Sequence, residues 1–333
     1  YERQWPGMPA RMLAAAESAW RWAEANPKAA FKNPADVKTG EYGDDKLDDE
    51  FAWAAAELFI ATGKDVYARA VRTYDAPLAT PSWGGVRALG WLSLAQHRER
   101  LGPAFDRSLD RSLIAPRLDA LAAQLAKTWR EGGYRVPMAG KDMVWGSNAV
   151  ILNGAMMLLQ AYRLNGNRDY LMAAQSSLDY VLGRNATGYA FVTGIGARST
   201  MHPHHRPSMA DGVTAPVPGW LAGGPNPGQQ DSRDCPVPYP SKLPGLSYID
   251  HDCSYAANEV AINWNAPLVY VTAALSTLTP GGAPVNQAGT VALDTLLREE
   301  QVLQFDRFDQ DTASAIGTSM LERARARQQK VTV

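Results

Sequence analysis

One helix-turn-helix pattern occurs twice in this chain. Phe59-x3-Gly63-x3-Tyr67-x2-Ala70 returns further on as Tyr162-x3-Gly166-x3-Tyr170-x2-Ala173. In each copy an apolar run at helical spacing leads into a glycine and a second such run leaves it. Glycine is the residue that ends a helix in the left-handed conformation at least cost. Two copies of one such unit restrict the chain to folds made of helical hairpins, arranged in a ring or solenoid.

Helical periodicity continues outside the repeat. Met12, Ala16, Ala19 and Ala23 make one apolar stripe, Phe51, Ala55, Leu58 and Thr62 a second, and Leu118, Leu121, Leu125 and Trp129 a third. Two helices are expected between Val150 and Leu182, joined at Asn165-Gly166-Asn167, with Gly183 as C-cap. From Thr187 to Ser254 the pattern stops. That stretch is rich in Gly, Pro, His and Asp and reads as long loops, which in a compact domain usually carry function or are disordered. Residues 280–289 are a linker of turn formers, and 290–333 are more charged, reading as a helical tail of two helices that stops at a strand-like Lys330-Val-Thr-Val333.

After the loops comes Tyr248-Ile-Asp250-x4-Tyr255-x3-Glu259-x-Ala261-x3-Asn265-Ala266. Ser254 is placed as a helix N-cap, and the helix beyond it grows steadily more apolar toward Val271. Glu259 then lies near the mouth of a buried helix beside Tyr255, Asn258 and Trp264. A carboxyl partly withdrawn from water among aromatic rings holds its proton longer, which suits a general acid. The bland reading is a solvated glutamate in an early helical turn. Upstream, Pro203-His204-His205-Arg206-Pro207-Ser208 precedes Asp211 and Pro218-Gly219-Trp220-Leu-Ala-Gly223-Gly224-Pro225-Asn226. His202, His204 and His205 cluster as zinc ligands do, but a His-His-Arg loop suits sugar hydroxyls better than a cation. Arg206 also suits a structural pairing with Asp211.

These two strings, in this order, resemble glycoside hydrolase family 9, whose members cut β-1,4-glucans such as cellulose with inversion. The resemblance implies that Glu259 is the proton donor and that His204 and Arg206 hold the sugar beside the cleavage point. It places sugar-stacking aromatics at Trp83 and Trp145, with Tyr42, Tyr255 and Trp264 as further substrate-binding candidates. The implied fold is mainly α, a partial (α/α)6 barrel of helical hairpins in a toroid with long loops at one end, over residues 1–279. The family's base is the aspartate of an Asp-Ala-Gly-Asp motif, and no such string occurs in these 333 residues. The opening resembles a helix from the middle of the family's catalytic domain, so the chain reads as its C-terminal part, with a missing N-terminal part as the expected partner.

The chemistry needs no cofactor. Family members often bind a structural calcium near the acidic run before Phe51, which here offers Asp45, Asp49 and Glu50. Hard carboxylate oxygens suit that ion, and the same run is also favourable charge at a helix N-terminus. Gly84 stands where family members can have an aspartate. Residues after about 290 are similar to the start of a small heme-degrading-type domain family.

Composition narrows the partners. At 46% hydrophobic, 20% charged and net charge −1, the chain has no basic footprint for nucleic acid. No apolar run is long enough to cross a membrane, and these residues contain no signal peptide. Ten tryptophans and thirteen tyrosines supply flat apolar faces for sugars, although most such rings in any protein are core. The expected partner is a β-glucan polysaccharide or oligosaccharide. The family resemblance implies a secreted or periplasmic full-length protein. Cys235 and Cys253 pair in that setting, but two free thiols are an equal reading. Three functional readings stand open: hydrolysis of cellulose-like glucans, action on glucosamine-containing oligosaccharides, and a non-catalytic carbohydrate-binding remnant.

Overall fold

The structure is a computed structural model that describes residues 3–37, 40–41, 43–44, 46–99, 109 and 111–278. The expected linker and helical tail lie outside these residues. The described residues are mainly helical, with no strand, and form two compact units. One runs up to Gln124 and includes Gln160–Asn167; the other takes Leu125–Leu159 and the described residues from Arg168 on. No described helix is long and apolar enough to cross a membrane.

The first unit contains α1 (Met8–Ala25), α2 (Asp48–Thr62), α3 (Asp65–Thr73) and α4 (Arg87–His97). The repeat sits where the sequence placed it. Gly63 closes α2 at φ 65, its N–H bonded to the Phe59 carbonyl at 2.8 Å, and Phe59 and Tyr67 are buried on the inner face of the hairpin. Gly90 of α4 packs on Ala56 and the backbone of Trp53, so small residues let α2 and α4 approach closely. On α1 the expected stripe is one position out of register. Met12, Ala16 and Ala19 face solvent, while Trp20 is buried with its ring edge-on to Phe51 and Tyr67, both at 5.6 Å. Burying one indole removes far more apolar area from water than burying alanines, and this sets the helix rotation.

Helices α5 (Ile114–Glu131) and α6 (Ser147–Asn165) contribute to both units. On α5, Leu118, Leu121 and Leu125 are buried as expected. The second copy of the repeat joins α6 to α7 (Arg168–Val181), with Gly166 at φ 72 and its N–H bonded to the Tyr162 carbonyl at 2.7 Å. Gly183 ends α7 at φ 123, as its C-cap role requires.

In the second unit the segment from Thr187 to Ser254 is loop, as expected, apart from the short α8 (Arg206–Ala210) and one 3-10 turn at Pro244–Leu246. Its order comes from isolated backbone bridges, Ala190 to Ser199 and Val192 to Leu221, over the fully buried Phe191. The predicted continuous helix after Ser254 is not found. It is broken into α9 (Tyr255–Asn258) and α10 (Ile262–Leu278), with Glu259 extended at φ −63, ψ 152.

Candidate active site

The helix breaks because the backbone around Glu259 has other partners. The carbonyls of Ala257, Asn258 and Glu259 accept from Gly224, His204 and Gly223 at 2.8, 2.8 and 2.9 Å. Glu259 is thus bridged in parallel to His204, and Val260 in antiparallel to Ala222. Three inter-segment hydrogen bonds replace the helical ones, so the carboxylate stands on a short rigid ribbon between two loops. Ser254 occupies the N-cap position of α9, but its hydroxyl makes no capping bond. That role falls to the fully buried Asp231, whose Oδ2 accepts from Ala256 N–H at 2.9 Å and from the Ser254 hydroxyl at 2.8 Å. Its Oδ1 accepts from Tyr239 at 2.8 Å. Burial, first, and the neighbouring Asp231 push the Tyr239 phenol up.

One aromatic ring bonds the Glu259 side chain, and a second ring and a histidine follow on from it. Trp145 donates its indole N–H to Glu259 Oε2 at 3.0 Å and lies 5.4 Å from the Tyr255 ring. Tyr255 in turn meets the His204 ring edge-on at 6.0 Å. Its hydroxyl donates to Asp234 at 3.0 Å; burial and that carboxylate raise the phenol. His204 Nδ1 bonds the Asp252 carbonyl at 2.5 Å. A carbonyl only accepts, so Nδ1 carries a proton and Nε2 is the ring nitrogen not engaged by that bond.

The loop that delivers His204 is fixed from below by a buried network. Asp250 accepts from the N–H groups of Met201 and His202 at 2.8 and 2.9 Å and from Asn258 Nδ2 at 3.1 Å. The Tyr248 hydroxyl donates to Asn258 Oδ1 at 2.7 Å. Burial, then Asp250, holds the Tyr248 phenol well above its usual range.

Of the expected site residues, Glu259, His204, Trp145 and Tyr255 are brought together. Arg206 opens α8 and is exposed. Trp264 packs its ring against Gly146 and Gly223. A Cβ on Gly146, at φ 81, would come within 3.0 Å of its ring, and one on Gly223 within 3.1 Å. Trp83 belongs to the first unit, where it is 63% exposed on the tight turn Ser82–Gly85. Tyr42 and Asp45 lie outside the described residues.

Near Asp45's position in the sequence, Asp49 is buried and accepts from Val86 N–H at 2.6 Å. The Glu50 carboxyl is held up to about 7 by partial removal from water and by Asp49 and Asp44. Among the described residues, the one group of three potential metal-ligand side chains within reach of each other is Cys235, His251 and Cys253. There the sulfurs are bonded to each other: Cys235 and Cys253 form a disulfide with Cα atoms 5.1 Å apart.

The sequence reading missed the residues that lock the two loops together. Ser147 donates to the Pro225 carbonyl and Asn148 to the Ala222 carbonyl, each at 2.8 Å, both from fully buried side chains. Gly224, at φ 93, leaves room for Asn148; a Cβ there would lie 2.4 Å from the Asn148 side chain. The available signal was the polar pair Ser147-Asn148 opening an otherwise apolar helix.

The family model for glycosyl hydrolase family 9 matches residues 1–272. A xyloglucan-specific endo-beta-1,4-glucanase of Bacteroides ovatus is 41% identical over 290 residues, covering 84% of this chain and 48% of the relative. A cellulose 1,4-beta-cellobiosidase of Acetivibrio thermocellus is 34% identical, covering 83% of this chain and 34% of its own. Among solved structures, a thermostable endoglucanase of Alicyclobacillus acidocaldarius superposes with a TM-score of 0.74 at 35% identity, over 83% of this chain and 52% of that one. The chain therefore spans about half, or less, of the length of these relatives.

Proposed function

The chain belongs to glycosyl hydrolase family 9, and on that premise we propose that it carries the acid half of a site that hydrolyses β-1,4-glycosidic bonds in cellulose-like glucans with inversion. Its fold class is that of the family's (α/α)6 enzymes. In the proposed step, Glu259 gives its proton to the glycosidic oxygen, the bond to the anomeric carbon breaks, and the freed sugar hydroxyl leaves. A base on the opposite face takes a proton from water as the water oxygen bonds the anomeric carbon. The two carboxyls of such a pair stand about 6.5–9.5 Å apart to admit that water.

The observation that carries this reading is the fixed carboxylate. Glu259 is held through backbone bridges beside His204, with its side chain tied by Trp145. His204 Nε2 is the ring nitrogen left to meet a sugar hydroxyl, and Arg206 is the exposed cation further along the loop. The base is assigned to a segment other than these 333 residues, which contain no Asp-Ala-Gly-Asp string. Asp250 is a poor substitute, because its oxygens already accept three N–H groups. The default substrate is an unbranched β-1,4-glucan, with xyloglucan the specific alternative suggested by the 41% identical relative.

No cofactor is assigned to the chemistry. A structural calcium is proposed near Asp49 and Glu50, whose crowded oxygens suit a hard cation; it would brace α2 and take no part in the reaction. A secreted or periplasmic setting is supported by the Cys235–Cys253 disulfide, since such bonds persist in oxidising compartments.

The test is an assay of the purified chain on soluble β-1,4-glucan and on xyloglucan, with binding of cello-oligosaccharides measured by calorimetry. Binding with little or no hydrolysis is expected. A robust rate abolished in Glu259→Gln would show that the base is within the chain after all, and a rate that survives Glu259→Gln would remove Glu259 as the acid.

A further inference from the structure

We propose that Trp145 is the positioning residue for Glu259: its indole N–H pins Oε2 and thereby makes Oε1 the oxygen that carries and delivers the proton. The inference rests on the reading of Glu259 as the acid. Its starting point is the 3.0 Å bond from Trp145 Nε1 to Glu259 Oε2. An oxygen that bears a proton is a weaker acceptor than its carbonyl-like twin. With a donor fixed on Oε2, the neutral carboxyl keeps its proton on Oε1.

The donor is itself held. Trp145 rests on the Tyr255 ring at 5.4 Å, and the Tyr255 hydroxyl donates to Asp234 at 3.0 Å. Asp234 adjoins Cys235, whose disulfide partner Cys253 lies two residues before Tyr255. On its other side Trp145 is followed by Gly146, packed on Trp264, and by Ser147, bonded to Pro225. The indole is therefore placed before substrate arrives. Once Glu259 has given up its proton, the same N–H faces a full negative charge and the bond becomes charge-assisted, which stabilises the product of the transfer rather than its start.

A tryptophan that served only as a sugar platform would not have its N–H spent on the acid. The remaining ionisable neighbours are His204, on the segment bridged to Glu259, and Tyr255 on α9. Segment 221–224 and Trp264 bring no ionisable side chain.

The experiment follows the Trp145 indole N–H by proton–nitrogen NMR in the full chain, with its signal assigned from Trp145→Phe. A pH-dependent downfield movement as Glu259 ionises is expected, and its loss in Glu259→Gln. In a second measurement, carboxyl-carbon-labelled glutamate reports Glu259 directly. Trp145→Phe keeps a ring on Tyr255 but removes the donor, so the Glu259 carboxyl-carbon signal is expected to change position. An indole signal indifferent to Glu259→Gln, or a carboxyl-carbon signal unmoved in Trp145→Phe, overturns the proposal. Neither readout needs turnover. Failure of the acid assignment alone appears instead as a wild-type indole response that stands while hydrolysis, measured once a base-bearing segment is supplied, survives Glu259→Gln.

Discussion

Asp231 shows how much of the site depends on a residue that never meets substrate. It is fully buried, and three donors converge on its carboxylate, from Tyr239, Ser254 and the Ala256 backbone. Removing it would strand the buried Ala256 N–H and leave the Tyr239 and Ser254 hydroxyls only each other, and each buried unsatisfied group costs about 1–3 kcal/mol. Asp231→Ala is expected to destabilise the second unit by about 2–4 kcal/mol, where Tyr239→Phe, which removes a single donor, costs about 1 kcal/mol. Urea unfolding followed by circular dichroism checks the order; an Asp231→Ala midpoint equal to wild type would refute the capping role. In sequence Asp231 is one more loop carboxylate between Gln230 and Ser232. Capping across 25 residues of chain is not a local relation, and no spacing rule exposes it. Glu259, His204 and Tyr255 were legible for another reason: they stand in strings that resemble a family pattern in both residue type and spacing.

At the scale of elements, the hairpins were readable because glycine's left-handed conformation is a local property. Gly63, Gly166 and Gly183 all adopt positive φ where the pattern required a helix to end. The break at Glu259 was not readable. From Tyr255 to Leu278 the chain keeps a helical apolar composition, its one proline lying well past the break, and three hydrogen bonds to residues far away in sequence decide the matter. The start of α2 yields a pH prediction. Glu50 has its carboxyl raised from 4.5 to about 7 in the fold, chiefly by partial removal from water. The folded state therefore keeps a proton that the unfolded chain releases, and stability declines as pH rises from about 4.5 to about 7. In chelator, the melting temperature of wild type is expected to fall across that window relative to Glu50→Gln. Calcium should restore the difference above pH 7 by favouring the ionised form. Parallel curves for the two proteins in chelator would exclude Glu50 as the source.

At the scale of the whole molecule, large apolar side chains lie exposed in both units. In the first, Trp5, Trp22 and Phe31 are 53%, 60% and 61% exposed, although Trp20 two residues from Trp22 is core. In the second, α10 is apolar on nearly every side. Leu268, Val271, Ala274 and Leu275 are buried, yet Ile262 and Val269 are 93% and 63% exposed. A helix apolar all round belongs in an interior, and exposed patches of this kind mark surfaces that another surface covers. Burying such a side chain is worth about 1.5–3 kcal/mol, so several together outweigh much of the entropy lost on association. The chain on its own is thus expected to self-associate or to capture a partner, and light scattering should give a mass above that of one chain at micromolar concentration. Ile262→Ser with Val269→Ser should lower that mass without unfolding α10, whose buried face is untouched. A sharp monomeric peak from wild type, with cooperative unfolding, would mean that these faces are tolerated in water and that no covering surface is needed.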